Sequence, residues 1–85
     1  MKTFFISGGT GSFGKELATT LLKKRIAKKI IIFSRDEFKQ EQMKKIPVFE
    51  KNKNIMRYFI GDVRDKKRIV QAMRENNIDI VIHAA

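Results

Sequence analysis

The chain has 85 residues, of which 42% are hydrophobic, and its formal net charge is +10. This length allows one small domain with a modest core. It contains no cysteine, which excludes disulfides and thiolate metal sites and is compatible with a reducing cytoplasm, the location that we expect. No apolar run is long enough for a signal peptide's hydrophobic region or for a membrane span of about 20 residues.

The positive charge raises the question of nucleic-acid binding. The lysines and arginines are spread over predicted helix ends and loops, in groups at residues 23–29, 44–57 and 64–68. No aromatic residues are interleaved with them to form a stacking platform for bases. We therefore expect a solvated basic face and no specific nucleic-acid partner.

The first predicted strand, residues 3–7, leads into a glycine-rich turn that precedes a helical pattern. Gly8, Gly11 and Gly14 have the spacing G-x-x-G-x-x-G. In that order they suit a tight reversal of the chain, a close approach to a pyrophosphate and tight packing of the helix, and the first amides of the helix favour an anion. The turn thus predicts dinucleotide binding, and a turn without a ligand is the alternative. The other candidate contacts inside it are Thr10, Ser12 and Phe13.

The first helix and the second strand follow from apolar spacing. Phe13, Leu17 and Leu21 recur at helical intervals and predict a helix to about Arg25. Residues 29–33 include three consecutive isoleucines, which is typical of a parallel strand buried on both faces.

The second helix is predicted to open at residues 34–37. Ser34 and Glu37 have the spacing of a capping box. Its apolar stripe would consist of Phe38, Met43 and Ile46, and Pro47 would end or kink it.

The residues after the second strand indicate which dinucleotide is bound. A carboxylate there accepts from the ribose hydroxyl of NAD, whereas a 2′-phosphate favours a guanidinium and repels an acid. Ser34 and Arg35 come first and Asp36 follows. We expect Ser34 to donate to the phosphate while Arg35 lies over the adenine and pairs with the phosphate. NADP is therefore favoured, and Asp36 leaves NAD open; helix capping alone is the alternative role of Ser34 and Asp36.

Two further strands complete the predicted sheet. Residues 55–60 form the third strand, after which Asp62 could accept the adenine amino group and Val63 could cover the ring; an ordinary turn aspartate is the alternative. Asp65 caps a third helix, and residues 78–83 form the fourth strand. His83 is expected to be a buried strand residue without a role in proton transfer. The candidate contacts after this strand are Ala84 and Ala85.

Four strands that alternate with three helices predict an α/β fold, a Rossmann-type doubly wound parallel sheet of order 3-2-1-4. The cofactor would lie over the carboxyl ends of the strands, where the order reverses. Because a complete domain of this type needs about 150 residues, we expect residues 1–85 to be the N-terminal part of an NAD(P)-binding domain, with the remainder and the substrate domain absent.

Four stretches together resemble a known family. S-G-G-T-G-S-F-G, I-I-I-F-S-R-D-E-F-K-Q-E-Q-M, R-Y-F-I-G-D-V-R-D and D-I-V-I-H-A-A are similar to the N-terminal part of the polysaccharide-biosynthesis (CapD-like) enzymes, which are extended short-chain dehydrogenase/reductases. The resemblance is greatest to the inverting UDP-N-acetylglucosamine 4,6-dehydratases that feed pseudaminic acid synthesis. S-R-D-E-x-K-Q is its most specific stretch, and it implies that Lys39 also approaches the 2′-phosphate.

The resemblance implies a lyase with internal redox chemistry. NADP accepts a hydride from carbon 4 of the sugar, water leaves across carbons 5 and 6, and the hydride returns to carbon 6. A Tyr-x-x-x-Lys pair serves such chemistry, but Tyr58 is followed four residues later by Asp62. We therefore expect no catalytic residue and no metal ligand in this chain, and only cofactor positions carry over. A UDP-sugar substrate and a homo-oligomer are implied for the full-length family.

Three functions remain open at this point. The favoured one is part of an NADP-dependent nucleotide-sugar dehydratase, with a 4-epimerase as its close variant. The second is a module that binds NADP without catalysis, and the third is a basic protein that binds polyanions in a salt-sensitive way. For the isolated chain we expect weak stability, no activity and self-association, because the fourth strand exposes an edge.

Overall fold

A computed structural model describes residues 1–84, which form one parallel sheet with helices on both faces. The elements are β1 (Lys2–Ser7), α1 (Ser12–Lys24), β2 (Ala27–Ser34), α2 (Glu37–Lys44), α3 (Pro47–Lys51), β3 (Met56–Ile60), α4 (Lys66–Asn76) and β4 (Ile80–His83). All neighbouring strands are parallel, and the sheet order is β3-β2-β1-β4. The predicted Rossmann-type fold and strand order are confirmed.

The core has two layers, one on each face of the sheet. Successive side chains of a strand point to opposite faces, so β1 sends Phe4 and Ile6 to one layer and Phe5 to the other. The first layer also contains buried residues of α1, α2 and α3, and the second contains Ala72 of α4. Residues 30–33 of β2 are fully buried, as their unbroken apolar run predicts.

Helix α1 begins and ends close to the predicted positions, but its buried stripe differs from the prediction. Gly11 is its N-cap, and Arg25 ends it in the left-handed conformation, with φ of 55°. Phe13 is 59% exposed, because Gly14 and not Phe13 is the first-turn residue that packs against the rest of the chain. The buried positions are Gly14, Ala18, Leu21 and Leu22.

The predicted capping box of the second helix is wrong. Ser34 is the last residue of β2 and pairs with Ile60 of β3. The N-cap of α2 is Asp36, whose carboxylate accepts from the amide of Lys39 at 3.0 Å. The buried stripe of α2 also differs from the prediction: Phe38 is 69% exposed, whereas Met43 is buried as predicted and Gln40 is buried as well.

The described residues contain four helices, one more than predicted. Pro47 does not merely end α2; it occupies the first turn of the short helix α3, where its fixed φ fits and its missing N–H costs nothing. Phe49 anchors this helix in the core. Of the helices within residues 1–84, none has the length and apolar character needed to cross a membrane.

Helix α4 and β4 follow the prediction, with one exception. Asp65 caps α4 by accepting from the amide of Arg68, and Asn77 ends it in the left-handed conformation. His83, however, is exposed and not buried. Its strand lies at the edge of the sheet, pairs only with β1 within residues 1–84 and is covered on alternate positions only.

Candidate functional site

The ends of all four strands line one cleft of about 380 Å³. Backbone hydrogen bonds hold these ends together: Gly8 donates to Phe33 at 2.8 Å, and Gly61 donates to Ser34 at 2.9 Å. The carboxyl ends of the four strands thus meet at one cleft, at the edge of the sheet where the cofactor is predicted to lie. The lining residues are Gly8, Phe33, Ser34, Arg35, Gly61, Asp62, Val63, Arg64 and His83.

The glycine turn on one side of this cleft is shaped by close backbone contacts. Gly8 adopts a φ of 69°, which favours glycine. A Cβ on Gly14 would lie 2.5 Å from the Cα of Gly9, so Gly14 lets α1 pack against the turn and not directly against the sheet. Gly9, which lies outside the triad, is less restricted, because its Cβ would lie 2.9 Å from Cδ1 of Ile32, the end of a flexible side chain.

The N-terminus of α1 fits a pyrophosphate. Gly11, its N-cap, has no side chain that could accept from the first amides, and the first turn carries no acidic residue. Free amides and a positive dipole end therefore face the turn, which is the arrangement that binds phosphate.

Several candidate contacts line a second cavity, of about 210 Å³, and not the main cleft. It lies between the glycine turn and α2, and Lys15 and Lys39 give it positive charge. Sequence reasoning missed Lys15, although a lysine directly after the third glycine was a usable signal. The other lining residues are Thr10, Gly11, Ser12, Gln42, Met43 and Ile46.

Ser34 lies at the cleft, and its hydroxyl group accepts a hydrogen bond from α2. Its side chain is largely buried, and its Oγ accepts from Nε2 of Gln40 at 2.9 Å. The same amide nitrogen donates to the carbonyl of Phe59 at 2.8 Å. Gln40 was not predicted as a site residue, although it stands in the S-R-D-E-x-K-Q stretch.

Asp62 lies between two arginines. Arg64 binds it through Nη2 at 2.7 Å and also through Nε and the backbone amide, whereas Nη1 of Arg35 lies 3.7 Å away. The hydrogen bonds from Arg64 hold the pKa of Asp62 well below its usual range, so the carboxylate is charged at neutral pH. An adenine amino group at this position would share the carboxylate with Arg64, a neighbour that sequence reasoning did not single out.

The remaining candidate contacts lie outside both cavities or at their margin. Asp36 is exposed and caps α2, and the exposed Phe13 lines neither cavity. Ala84 packs against the larger core cluster, and Ala85 lies outside the described residues. His83, which was not predicted as a contact, does line the cleft, with Nδ1 2.6 Å from Oγ of Ser7. Residues 1–84 contain no group of three or more His, Cys, Asp or Glu side chains that could hold a metal ion.

Comparison with known proteins identifies relatives of this chain. The family described as "Polysaccharide biosynthesis protein" matches residues 4–85. An inverting UDP-N-acetylglucosamine 4,6-dehydratase of Campylobacter jejuni is 56% identical over 84 residues, which are 99% of this chain and 23% of the relative. A UDP-glucose 4-epimerase of Rickettsia felis is 46% identical over 87 residues, which cover 99% of this chain and 24% of the relative.

A solved structure has the same fold. The X-ray structure of Pen from Bacillus thuringiensis superposes with a TM-score of 0.86 at 37% identity, over 99% of this chain and 25% of that one. The chain thus spans about a quarter of the length of the proteins that it matches.

Proposed function

The chain belongs to the polysaccharide biosynthesis protein family, and from that premise we propose that it is the NADP-binding part of a nucleotide-sugar 4,6-dehydratase acting on UDP-N-acetylglucosamine. The enzyme would work in the cytoplasm, in the synthesis of surface polysaccharide or pseudaminic acid. In this proposal, residues 1–85 are the N-terminal part of the NAD(P)-binding domain, and the rest of that domain and the substrate domain lie outside these residues. The 56% identity to the Campylobacter jejuni dehydratase supports this choice of reaction.

One observation carries the cofactor assignment: Ser34 and Arg35 stand together at the cleft that the four strand ends form. The Arg35 side chain is 72% exposed, so its guanidinium is free to move onto a 2′-phosphate. The present partner of this guanidinium, the carboxylate of Asp62, lies 3.7 Å away. A phosphate that accepts two hydrogen bonds from the guanidinium would be a stronger partner than this carboxylate. We propose that Arg35 and Ser34 bind the 2′-phosphate and that Lys39 adds positive charge nearby.

The other proposed contacts extend from the N-terminus of α1, beside the second cavity, to the cleft. The pyrophosphate would lie on the N-terminus of α1, next to Gly8, Gly11 and Gly14 and to the side chains of Thr10 and Ser12. Asp62 and Val63 would contact the adenine. Bound NADP supplies the hydride acceptor and donor of the reaction, and the residues of this chain bind and orient it.

A related 4-epimerase is the second candidate, favoured by the 46% identity to the Rickettsia felis enzyme. The two reactions differ in the mass of the product, because a dehydratase removes one water from the sugar and an epimerase keeps it. Mass spectrometry of UDP-N-acetylglucosamine incubated with the full-length protein separates them. A module that binds NADP without catalysis would also leave the mass unchanged, but unlike an epimerase it would form no stereoisomer that chromatography separates from the substrate.

The cofactor assignment is tested by titrating the chain with NADP and NAD at fixed salt. We expect tighter binding of NADP, and Arg35→Ala should weaken NADP binding about tenfold with little effect on NAD, because it removes a charge-assisted contact. Arg74→Ala is the matched control, since it removes an equal charge from α4, away from the cleft. The assignment would be contradicted if a chain whose circular dichroism spectrum shows that it is folded bound both nucleotides equally or bound neither.

A further inference from the structure

We propose that Gln40 is a positioning residue that sets the cofactor preference by fixing the direction of the Ser34 hydroxyl. This inference rests on the proposed function, in which the cleft binds NADP through Ser34. Gln40 lies behind Ser34, is only 2% exposed and lines neither of the two cavities described above. It therefore acts through its neighbour and not by contact with the cofactor.

The orientation of the Gln40 amide is determined by its partners. A backbone carbonyl only accepts hydrogen bonds, so the amide atom 2.8 Å from the Phe59 carbonyl must be the nitrogen. This nitrogen has two hydrogens, and the second points to Oγ of Ser34 at 2.9 Å. Both donors are used, which holds the buried amide in one orientation.

The hydrogen bond from Gln40 decides what the Ser34 hydroxyl offers to a ligand. A hydroxyl has one hydrogen to donate, and its oxygen accepts. The amide nitrogen of Gln40 donates at this contact and cannot accept, so the hydroxyl hydrogen of Ser34 is not directed at it and is left to point elsewhere. Ser34 lines the cleft, and we infer that a group bound there receives that hydrogen.

This arrangement distinguishes the two dinucleotides. The oxygens of an ionised 2′-phosphate accept hydrogen bonds and need donors, and a bond from a hydroxyl to a charged oxygen is among the stronger ones. The ribose 2′-hydroxyl of NAD is uncharged and can donate as well as accept, so it gains less from a fixed donor. Gln40 thereby favours NADP without touching it.

A double-mutant cycle tests this inference. The variants are Ser34→Ala, Gln40→Met and the pair, and the measured quantity is the ratio of the Kd for NAD to the Kd for NADP, obtained by calorimetry at fixed salt. Partial unfolding weakens binding of both nucleotides by the same factor, so a merely destabilised variant leaves this ratio unchanged. Gln71→Met on α4 is the matched control, because Gln71 is exposed and α4 packs on the opposite face of the sheet from α2.

We expect each single substitution to lower the ratio about tenfold and the pair to lower it no further than Ser34→Ala does. Additive effects, or a Gln40→Met chain with the wild-type ratio, would overturn the role of Gln40 while leaving the proposed function intact. A folded wild-type chain that binds both nucleotides equally, or neither, would overturn both. If the Gln40→Met chain does not fold, the same cycle is measured in a chimera in which this chain replaces the matching residues of the Campylobacter jejuni relative.

Discussion

Tyr58 of β3 carries a buried hydroxyl that has no hydrogen-bond partner within residues 1–84. Burial raises the pKa of Tyr58 to about 12. The hydroxyl therefore stays protonated at neutral pH, and the nearest cation that contacts the ring, Lys44, lies over its face at 5.2 Å from the centroid. This geometry gives Tyr58 the role of a core residue with a polar end, in keeping with its place outside any Tyr-x-x-x-Lys pair.

The raised pKa of Tyr58 makes the stability of the chain depend on alkaline pH. The folded state holds the proton more tightly than the unfolded state, whose tyrosine titrates near 10. Its contribution to stability is thus complete below about pH 10 and is lost as the pH rises towards 12. Because the chain has one tyrosine, tyrosinate absorbance reports this group alone. We expect a midpoint above 10 in the folded chain and near 10 in urea.

Tyr58→Phe separates this effect from the titration of the lysines. The variant should lose the part of the alkaline destabilisation that belongs to Tyr58, and at pH 7 its free energy of unfolding should lie within about 1 kcal/mol of wild type, because no hydrogen bond is broken. A folded-state midpoint equal to that in urea would show that the hydroxyl is solvated.

At the scale of elements, Gly11 and Gly14 of the glycine turn have different roles. A Cβ on Gly14 meets the backbone of Gly9 at 2.5 Å, whereas a Cβ on Gly11 has no neighbour closer than 3.7 Å. Gly14→Ala should lower the free energy of unfolding by about 1–3 kcal/mol, since the backbone must shift. Gly11→Ala should lower it by no more than about 1 kcal/mol, because alanine is a poorer N-cap than glycine. It should also weaken NADP binding, since the new methyl group would stand where the pyrophosphate approaches.

Urea unfolding and NADP titration of these two variants measure both effects. Each substitution adds one methyl group within the same turn, so each serves as the control for the other. Equal stability of the two variants would contradict the contact between Gly14 and Gly9.

The strands and their order were predictable from sequence, and the start of α2 was not. Three isoleucines in β2 leave few alternatives to a strand covered on both faces. At residues 34–37, however, both Ser34 and Asp36 can cap a helix, and pairing of Ser34 with Ile60 of β3 decides in favour of Asp36. Local spacing carries no information about that pairing. Gln40 was missed for the same reason, because its partners Ser34 and Phe59 are brought to it by the sheet.

At the scale of the whole molecule, β4 is the shorter of the two edge strands that the described residues form. It has four residues, pairs only with β1 within residues 1–84 and leaves Val81 55% exposed. An open edge next to exposed apolar side chains is a template for pairing with another chain. The net charge of +10 opposes association at low ionic strength, and salt screens this repulsion.

We therefore expect the chain to associate with increasing concentration and to do so more strongly in salt, as measured by sedimentation velocity. Val81→Lys should shift the population towards monomer, because a lysine on an edge strand disfavours pairing between edges. Val70→Lys is the matched control: it adds the same charge at an exposed valine of α4, away from the strand edge, and should have a smaller effect. A monomer with one cooperative unfolding transition at all concentrations would show that β4 is stable as an edge. Equal effects of the two lysine substitutions would show that net charge, and not pairing of β4, controls the association.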